Sequence, residues 1–128
     1  MSRRVAVVGA TGAVGTAMLA VLAERGFPVS EIHALATPRS AGTPFRFHGV
    51  EGRVESVEGF DFSRVDLALF AGGEVASSVY APRARNAGAL VVDNSATFRM
   101  EPDVPLVVPE VNPQHLDSGA RLIANPNC

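Results

Sequence analysis

The sequence predicts an α/β fold with a doubly wound, mostly parallel sheet, and three observations support this prediction. Val5–Val8 is a short, continuous apolar run, which is typical of a strand buried on both faces of a sheet. Apolar residues recur at helical spacing from about Ala13 to Arg25, and Gly26 then ends the helix. Ile32–Ala36 reads as a second strand. Strand, glycine turn, helix and strand form a βαβ unit, whose crossover should be right-handed.

The remaining elements continue this alternation less regularly. The stretch from Pro44 to Val57 alternates apolar and polar residues around glycines, which predicts a short hairpin or edge strands. Four prolines between residues 102 and 113 predict an extended loop, with room for one short strand at Leu106–Val108. The other predicted elements are a strand at Val65–Ala71, a helix from about Ser77 to Ala87, and strands at Ala89–Val92 and Leu122–Ala124.

Composition narrows the possible function classes. The chain has 128 residues, a net charge of −2 and 47% hydrophobic residues, so it fits one domain with its own core. All 11 basic residues are arginine, which excludes the P-loop and Schiff-base chemistries that need lysine. A single cysteine excludes disulfides and cysteine-rich zinc modules within the chain, and we predict no metal site. Because there is no basic stripe and no signal-peptide or transmembrane run, we expect a cytoplasmic protein without nucleic-acid or membrane partners.

A glycine-rich turn between the first strand and the first helix predicts a dinucleotide site. Its sequence is G-x-x-G-x-x-G, with Gly9, Gly12 and Gly15 at the three glycine positions. Glycine lets the backbone approach a pyrophosphate closely, and the helix N-terminus then offers N–H groups to the phosphates. This is the arrangement of a Rossmann-type domain, and the alternative is a merely structural turn.

The end of the second strand favours NADP over NAD. An NAD site usually places an acidic residue there to hold the ribose hydroxyls, and none follows this strand. Arg39 can instead pair with a 2′-phosphate, while Thr37 and Ser40 supply further donors. The alternative for Arg39 is a solvated loop residue. Further along, Gly72-Gly73 fits either a backbone wall close to the cofactor or an ordinary tight turn.

The only cysteine, Cys128, follows the last predicted strand in the sequence Asn125-Pro126-Asn127-Cys128. Ligands bind at the carboxyl edge of a doubly wound sheet, so a thiol there is a candidate nucleophile. A free cysteine is otherwise more often inert packing.

Several segments in the same order resemble aspartate-semialdehyde dehydrogenases over essentially the whole chain. They are the glycine turn at residues 9–15, Arg39-Ser40-Ala41-Gly42, Ala71-Gly72-Gly73, Val91-Val92-Asp93-Asn94-Ser95, Phe98-Arg99-Met100, Val108-Pro109-Glu110-Val111-Asn112 and Asn125-Pro126-Asn127-Cys128. The resemblance implies NADPH-dependent reduction of L-aspartyl 4-phosphate to L-aspartate 4-semialdehyde, with release of phosphate, on the route to lysine, threonine and methionine.

The resemblance also implies roles for individual residues. Cys128 matches the nucleophile that forms an acyl-thioester, and Arg99 matches the arginine that binds the phosphate group. A surface ion pair with Glu101 or Asp103 is the alternative for Arg99. Asn94 and Asn127 either orient substrate, stabilise the developing oxyanion, or cap turns. The predicted cofactor residues are Gly9, Thr11, Gly12, Ala13, Val14, Thr37, Arg39, Ser40, Gly72 and Gly73.

The chain departs from that family's pattern in having no second, catalytic and dimerising domain with its acid/base histidine. We expect residues 1–128 to be the dinucleotide-binding domain, ending at the junction with that domain and inactive alone; the full-length enzyme would be a homodimer or homotetramer. For His33, His48 and His115 we expect packing or surface roles. Two alternatives remain open at this point, an N-acetyl-glutamyl-phosphate reductase and a non-catalytic NADP-sensing module.

Overall fold

The computed structural model describes residues 2–108, 111 and 121–126, which form a six-stranded sheet, a separate hairpin and two helices. Neither of these two helices is long and apolar enough to cross a membrane. The elements are β1 (Arg3–Val8), α1 (Ala13–Glu24), β2 (Val29–Ala36), β3 (Pro44–Phe47), β4 (Val50–Arg53), β5 (Glu55–Ser56), β6 (Leu67–Phe70), α2 (Gly73–Asn86), β7 (Leu90–Asp93) and β8 (Leu122–Ala124), with short 3₁₀ turns at Pro38–Ser40 and Phe62–Arg64.

The order of the strands in the sheet is β5-β2-β1-β6-β7-β8, and every neighbouring pair is parallel. The chain therefore starts near the middle, runs outward through β2, and returns to the other side of β1 at β6. This reversal between β1 and β6 is the switch point at which doubly wound sheets bind ligands. The predicted fold class is confirmed.

The two helices lie on opposite faces of this sheet, and a hydrophobic cluster fills each layer. On one face, Leu19 of α1 belongs to a cluster with Val7 and Ala34. On the other face, Ala81 and Ala84 of α2 belong to a cluster that includes the fully buried Phe70. Successive strand residues point to opposite faces, so the continuous apolar runs of the central strands serve both layers.

The start of α2 and the segment at 106–108 differ from the predictions, whereas the 44–57 stretch agrees with them. Helix α2 begins at Gly73, one turn before the predicted Ser77, because Gly72 occupies the N-cap position instead of lying in a longer turn. The 44–57 stretch contains both alternatives, since β3 and β4 form an antiparallel hairpin and β5 pairs with the edge of the main sheet. In the predicted strand at 106–108 only Leu106 forms a bridge, to Ala124, because flanking prolines limit the ladder.

Candidate functional site

The glycine turn lies directly over the switch point and contacts the turn that follows β6. Gly9 has a φ of 86°, and a Cβ there would lie 2.6 Å from the Cα of Gly72. The N–H groups of Gly9 and Ala10 both donate to the carbonyl of Leu35, at 2.8 and 3.1 Å, which ties the turn to β2. A Cβ on Gly15 would lie 2.7 Å from the carbonyl carbon of Gly9. These glycines thus bring the start of α1 against the sheet edge without side chains between them.

A first cavity, here the β2-side cavity, opens on one flank of this turn. It has a volume of about 260 Å³, and its lining includes Gly9, Gly12, Thr37 and Gly72. This cavity lies between the backbone of the glycine turn and the carboxyl end of β2. A group bound against the glycine turn can therefore extend from there toward the 3₁₀ turn at Pro38–Ser40.

Arg39 lies in that 3₁₀ turn and is exposed. Within the described part of the chain its side chain has neither a hydrogen-bond acceptor nor an ionic partner, whereas the N–H of Ser40 donates to the carbonyl of Thr37 at 2.9 Å. Glu31 lies earlier in β2 and approaches His33, with 3.7 Å between a carboxylate oxygen and Nε2. The carboxyl end of β2 thus presents a cation and hydroxyl groups.

A second cavity, the β7-side cavity, opens on the other flank of the glycine turn. It has a volume of about 380 Å³, and its lining includes Val14, Gly73, Glu74, Asn94 and Ser95. Its walls come from the first turns of both helices and from the turn after β7. Because α2 begins at Gly73, its N-terminus faces this same edge of the sheet.

Arg99 joins the ends of β7 and β8. Its Nε donates to the carbonyl of Asn125 at 2.7 Å and its Nη2 donates to the carbonyl of Asn94 at 3.0 Å. The side chains of the two asparagines also pair, since Nδ2 of Asn125 donates to Oδ1 of Asn94 at 2.7 Å. The acceptors of Arg99 in the described part of the chain are carbonyls, so the surface ion pair with Glu101 or Asp103 is not formed. Nη1 has no acceptor among these same residues.

The sequence prediction missed four residues that build this edge, namely Ser77, Asp93, Ser95 and Asn125. The Asp93 carboxylate is fully buried and accepts hydrogen bonds from the two serines. The only signal for these residues in the sequence is that Asp93-Asn94-Ser95 follows a predicted strand, which places them at the edge of the sheet. Nothing in the sequence indicates that Ser77 on α2 would contact Asp93.

Two of the predicted site residues, Asn127 and Cys128, lie outside the described residues, as does His115. His33 is buried and its Nδ1 lies 2.8 Å from a carboxylate oxygen of Glu55, so it packs at the edge of the sheet as expected. His48 is exposed in the hairpin turn. Neither of these two histidines lines the β2-side or the β7-side cavity.

An ion pair outside the β2-side and β7-side cavities lies at the amino ends of β1 and β6. Arg4 donates to Asp66 through its backbone N–H at 2.8 Å and through its guanidinium at 3.0 and 3.3 Å. These hydrogen bonds lower the pKa of Asp66 from 3.8 to about 2. The pair joins the amino ends of these two neighbouring strands, at the edge of the sheet opposite the glycine turn.

Comparison with known proteins gives consistent matches. Residues 4–119 match the model of the semialdehyde dehydrogenase NAD binding domain. The chain is 52% identical over 126 residues to aspartate-semialdehyde dehydrogenase 2 of Vibrio cholerae, covering 97% of this chain and 37% of that protein. It is 50% identical over 125 residues to the aspartate-semialdehyde dehydrogenase of Synechocystis, covering 98% and 37% respectively.

Solved structures agree with these relatives. A crystal structure of aspartate semialdehyde dehydrogenase II from Vibrio cholerae, complexed with ASA, matches with a TM-score of 0.96 and 51% identity, over 100% of this chain and 42% of that one. A probable aspartate-semialdehyde dehydrogenase from Pseudomonas aeruginosa matches with a TM-score of 0.89 and 42% identity, over 98% and 38%. The chain thus spans less than half the length of the relatives it matches. It belongs to the semialdehyde dehydrogenase family, of which it contains the NAD-binding domain.

Proposed function

We propose that the chain is the NADP-binding domain of an aspartate-semialdehyde dehydrogenase. The observation that carries this proposal is the contact between the turns at Gly9 and Gly72, which leaves bare backbone at the switch point with a cavity on either side. A side chain at Gly9 would meet the backbone of Gly72, and one at Gly15 would meet the backbone of Gly9, so only glycines let these turns pack this closely. The bare backbone of such a turn is what a pyrophosphate approaches in a dinucleotide site. The residues present therefore fit a dinucleotide.

The orientation of the cofactor follows from the topology. In doubly wound folds the residue at the end of the second strand contacts the adenosine ribose, so the adenosine half belongs in the β2-side cavity. The nicotinamide half then extends into the β7-side cavity. Arg39 supports NADP over NAD, because it is an exposed guanidinium whose donors are uncommitted in the described part of the chain.

We assign the full-length protein the reduction of L-aspartyl 4-phosphate to L-aspartate 4-semialdehyde. Cys128 forms a thioester as the bond from the acyl carbon to phosphate breaks, and thiolate leaves when the thioester is reduced. Bound NADPH supplies the hydride. Arg99 is proposed to pair with the phosphate through Nη1 while its other donors stay on the ends of β7 and β8. Asn94 and Asn127 are proposed to orient the substrate.

The relatives named above favour this reaction over an N-acetyl-glutamyl-phosphate reductase and over a non-catalytic sensor. These relatives are aspartate-semialdehyde dehydrogenases, and the chain is 50–52% identical to them in sequence. We further propose that residues 1–128 bind NADP but do not catalyse reduction, because the relatives are more than twice as long and the two described histidines lie outside both cavities. The full-length enzyme is proposed to be a cytoplasmic homodimer or homotetramer.

The cofactor assignment is tested by Arg39→Ala, with NADPH and NADH binding measured by fluorescence. A charge-assisted pair with phosphate is worth about 10- to 100-fold in affinity, so NADPH binding should weaken by that factor while NADH binding stays within about twofold. Arg85→Ala is the matched control, because Arg85 is another exposed arginine, on α2, and lines neither cavity. Equal loss for both nucleotides, or none for NADPH, would contradict the assignment.

The reaction is tested in the complete polypeptide that contains these residues. NADPH oxidation should require L-aspartyl 4-phosphate and release phosphate, and Cys128→Ser should abolish it. The 128-residue chain by itself should show no oxidation with the same substrate. Reduction of N-acetyl-glutamyl phosphate in place of the aspartyl compound would overturn the substrate assignment.

A further inference from the structure

We propose that the buried carboxylate of Asp93, with Ser77 and Ser95, positions the wall of the nicotinamide half-site, and so sets how tightly that half of the cofactor is held. The inference rests on the proposed NADP site. Asp93 and Ser77 are positioning residues, since both are fully buried and act through groups such as Ser95 that line the β7-side cavity.

The carboxylate connects two separate walls of that cavity. Its Oδ1 accepts a hydrogen bond from Oγ of Ser77 at 2.6 Å, on α2, and from the N–H of Ser95 at 3.0 Å. Its Oδ2 accepts from Oγ of Ser95 at 2.8 Å. Three donors therefore hold one carboxylate, and they join α2 to the turn after β7.

A second set of contacts repeats the same connection closer to solvent. The N–H of Thr97 donates to Oγ of Ser95 at 3.2 Å, and Oγ1 of Thr97 donates to the carbonyl of Glu74 at 3.3 Å. Glu74 and Ser95 both line the β7-side cavity. A chain of hydrogen bonds thus runs from Glu74 through Thr97 and Ser95 to Asp93 and constrains the separation of the two lining residues Glu74 and Ser95.

The hydrogen-bond donors to Asp93 are all uncharged groups. Asp93 has no exposed surface and no cationic partner within ion-pair distance among the described residues, so neutral donors alone hold its carboxyl group. Burying a carboxylate in this way is costly, and apolar packing at such a site often stabilises a protein as well or better. What the carboxylate adds is fixed geometry, because each donor must approach along its own direction.

The location predicts an effect on one half of the cofactor only. None of the network residues lines the β2-side cavity, where the adenosine half is proposed to bind. A change at Ser77 or Asp93 should therefore alter contacts with the nicotinamide half and leave the adenosine half unaffected. General destabilisation of the fold would weaken both halves together.

The test compares two ligands in the complete polypeptide containing this chain, NADPH and adenosine 2′,5′-bisphosphate, which has only the adenosine half. In Ser77→Ala the carboxylate loses its donor on α2, and we expect NADPH to bind about three- to tenfold more weakly. The dissociation constant of the bisphosphate should change by less than about twofold. Ser78→Ala is the matched control, because among the described residues the exposed Ser78 hydroxyl donates to the carbonyl of Val75 alone. This variant should bind both ligands as the unaltered protein does.

Asp93→Asn provides a second variant with nearly the same shape, in which an amide donor replaces one acceptor facing Ser95. It should show the same selective weakening of NADPH and remains informative if Ser77→Ala folds poorly. Equal weakening of both ligands, or unchanged NADPH binding in both variants, would overturn the positioning role. Failure of the unaltered protein to bind either ligand would instead refute the proposed function, and the positioning role with it.

Discussion

Replacing Gly15 by alanine should destabilise the protein, although the position lies inside α1. At an unobstructed helix interior, alanine is favoured over glycine by about 0.5–1 kcal/mol. Here the added Cβ would lie 2.7 Å from the carbonyl carbon of Gly9 and 2.8 Å from the Cα of Ala10. Both neighbours are backbone atoms of the turn that ties β1 to β2, so no side chain can move aside.

The magnitude follows from the balance of these two effects. Forcing one extra methyl group into a tightly packed interior costs about 1–3 kcal/mol, and more where the surroundings are rigid. After the gain in helix propensity is subtracted, we expect a net loss of about 1–2 kcal/mol in the free energy of unfolding. For a chain of this size that corresponds to a fall of about 3–10 °C in Tm.

Gly12→Ala is the matched comparison, and the assay is thermal unfolding followed by circular dichroism, combined with NADPH binding. A Cβ at Gly12 would lie 3.6 Å from the carbonyl oxygen of Gly9, an ordinary contact, and the residue has a φ of −81° that alanine readily adopts. We expect a clearly smaller fall in Tm for Gly12→Ala, but weaker NADPH binding, because the methyl group would face the pyrophosphate. A Tm for Gly15→Ala equal to that of the unaltered protein would refute this account of the turn.

Three further predictions concern the rest of the sheet. In Asp66→Asn the stabilising ion pair with Arg4 is lost at every pH. In the unaltered protein the pKa of Asp66 is lowered to about 2, so the stability that the pair contributes is lost only as the pH falls from about 4 toward 2. The difference in free energy of unfolding between the two proteins, measured by urea denaturation, should therefore be smaller at about pH 3 than at about pH 6. In Arg99→Lys the ammonium group cannot replace the planar guanidinium, which donates to the carbonyls of Asn94 and Asn125 together. The value of kcat/KM in the complete polypeptide should therefore fall at least about tenfold. An unchanged value would contradict the role of these two hydrogen bonds. Phe70→Ala should lower the free energy of unfolding by about 3–5 kcal/mol, because the ring is fully buried. Val50→Ala is the control, because Val50 is 69% exposed and its truncation should change that free energy little. Urea denaturation measures both.

The parts of the fold that the sequence predicted correctly are those governed by local pattern. Val5–Val8 is apolar at every position and is buried at every position, because a central parallel strand packs against helices on both faces. The glycine spacing predicted a tight turn after β1 at which the backbone can approach a pyrophosphate. The contact of that turn with Gly72 was not predicted, because β6 reaches β1 across more than fifty intervening residues.

The start of α2 and the buried network around Asp93 depend on contacts that local sequence pattern does not encode. A glycine pair interrupts a helical pattern, so the sequence favoured a helix beginning at Ser77, whereas the backbone enters the helix at Gly73. That extra turn directs the start of α2, including Glu74, toward the β7-side cavity. Ser77 and Asp93 stand 16 positions apart, and each alone resembles an ordinary polar residue near the end of an element. Their contact depends on α2 crossing the sheet at one angle, which is decided by small residues such as Ala81 and Ala84 packing against the strands. The polar geometry of this edge is therefore a consequence of apolar packing on the helix, and substitutions in that packing should alter cofactor binding even where no polar group is changed.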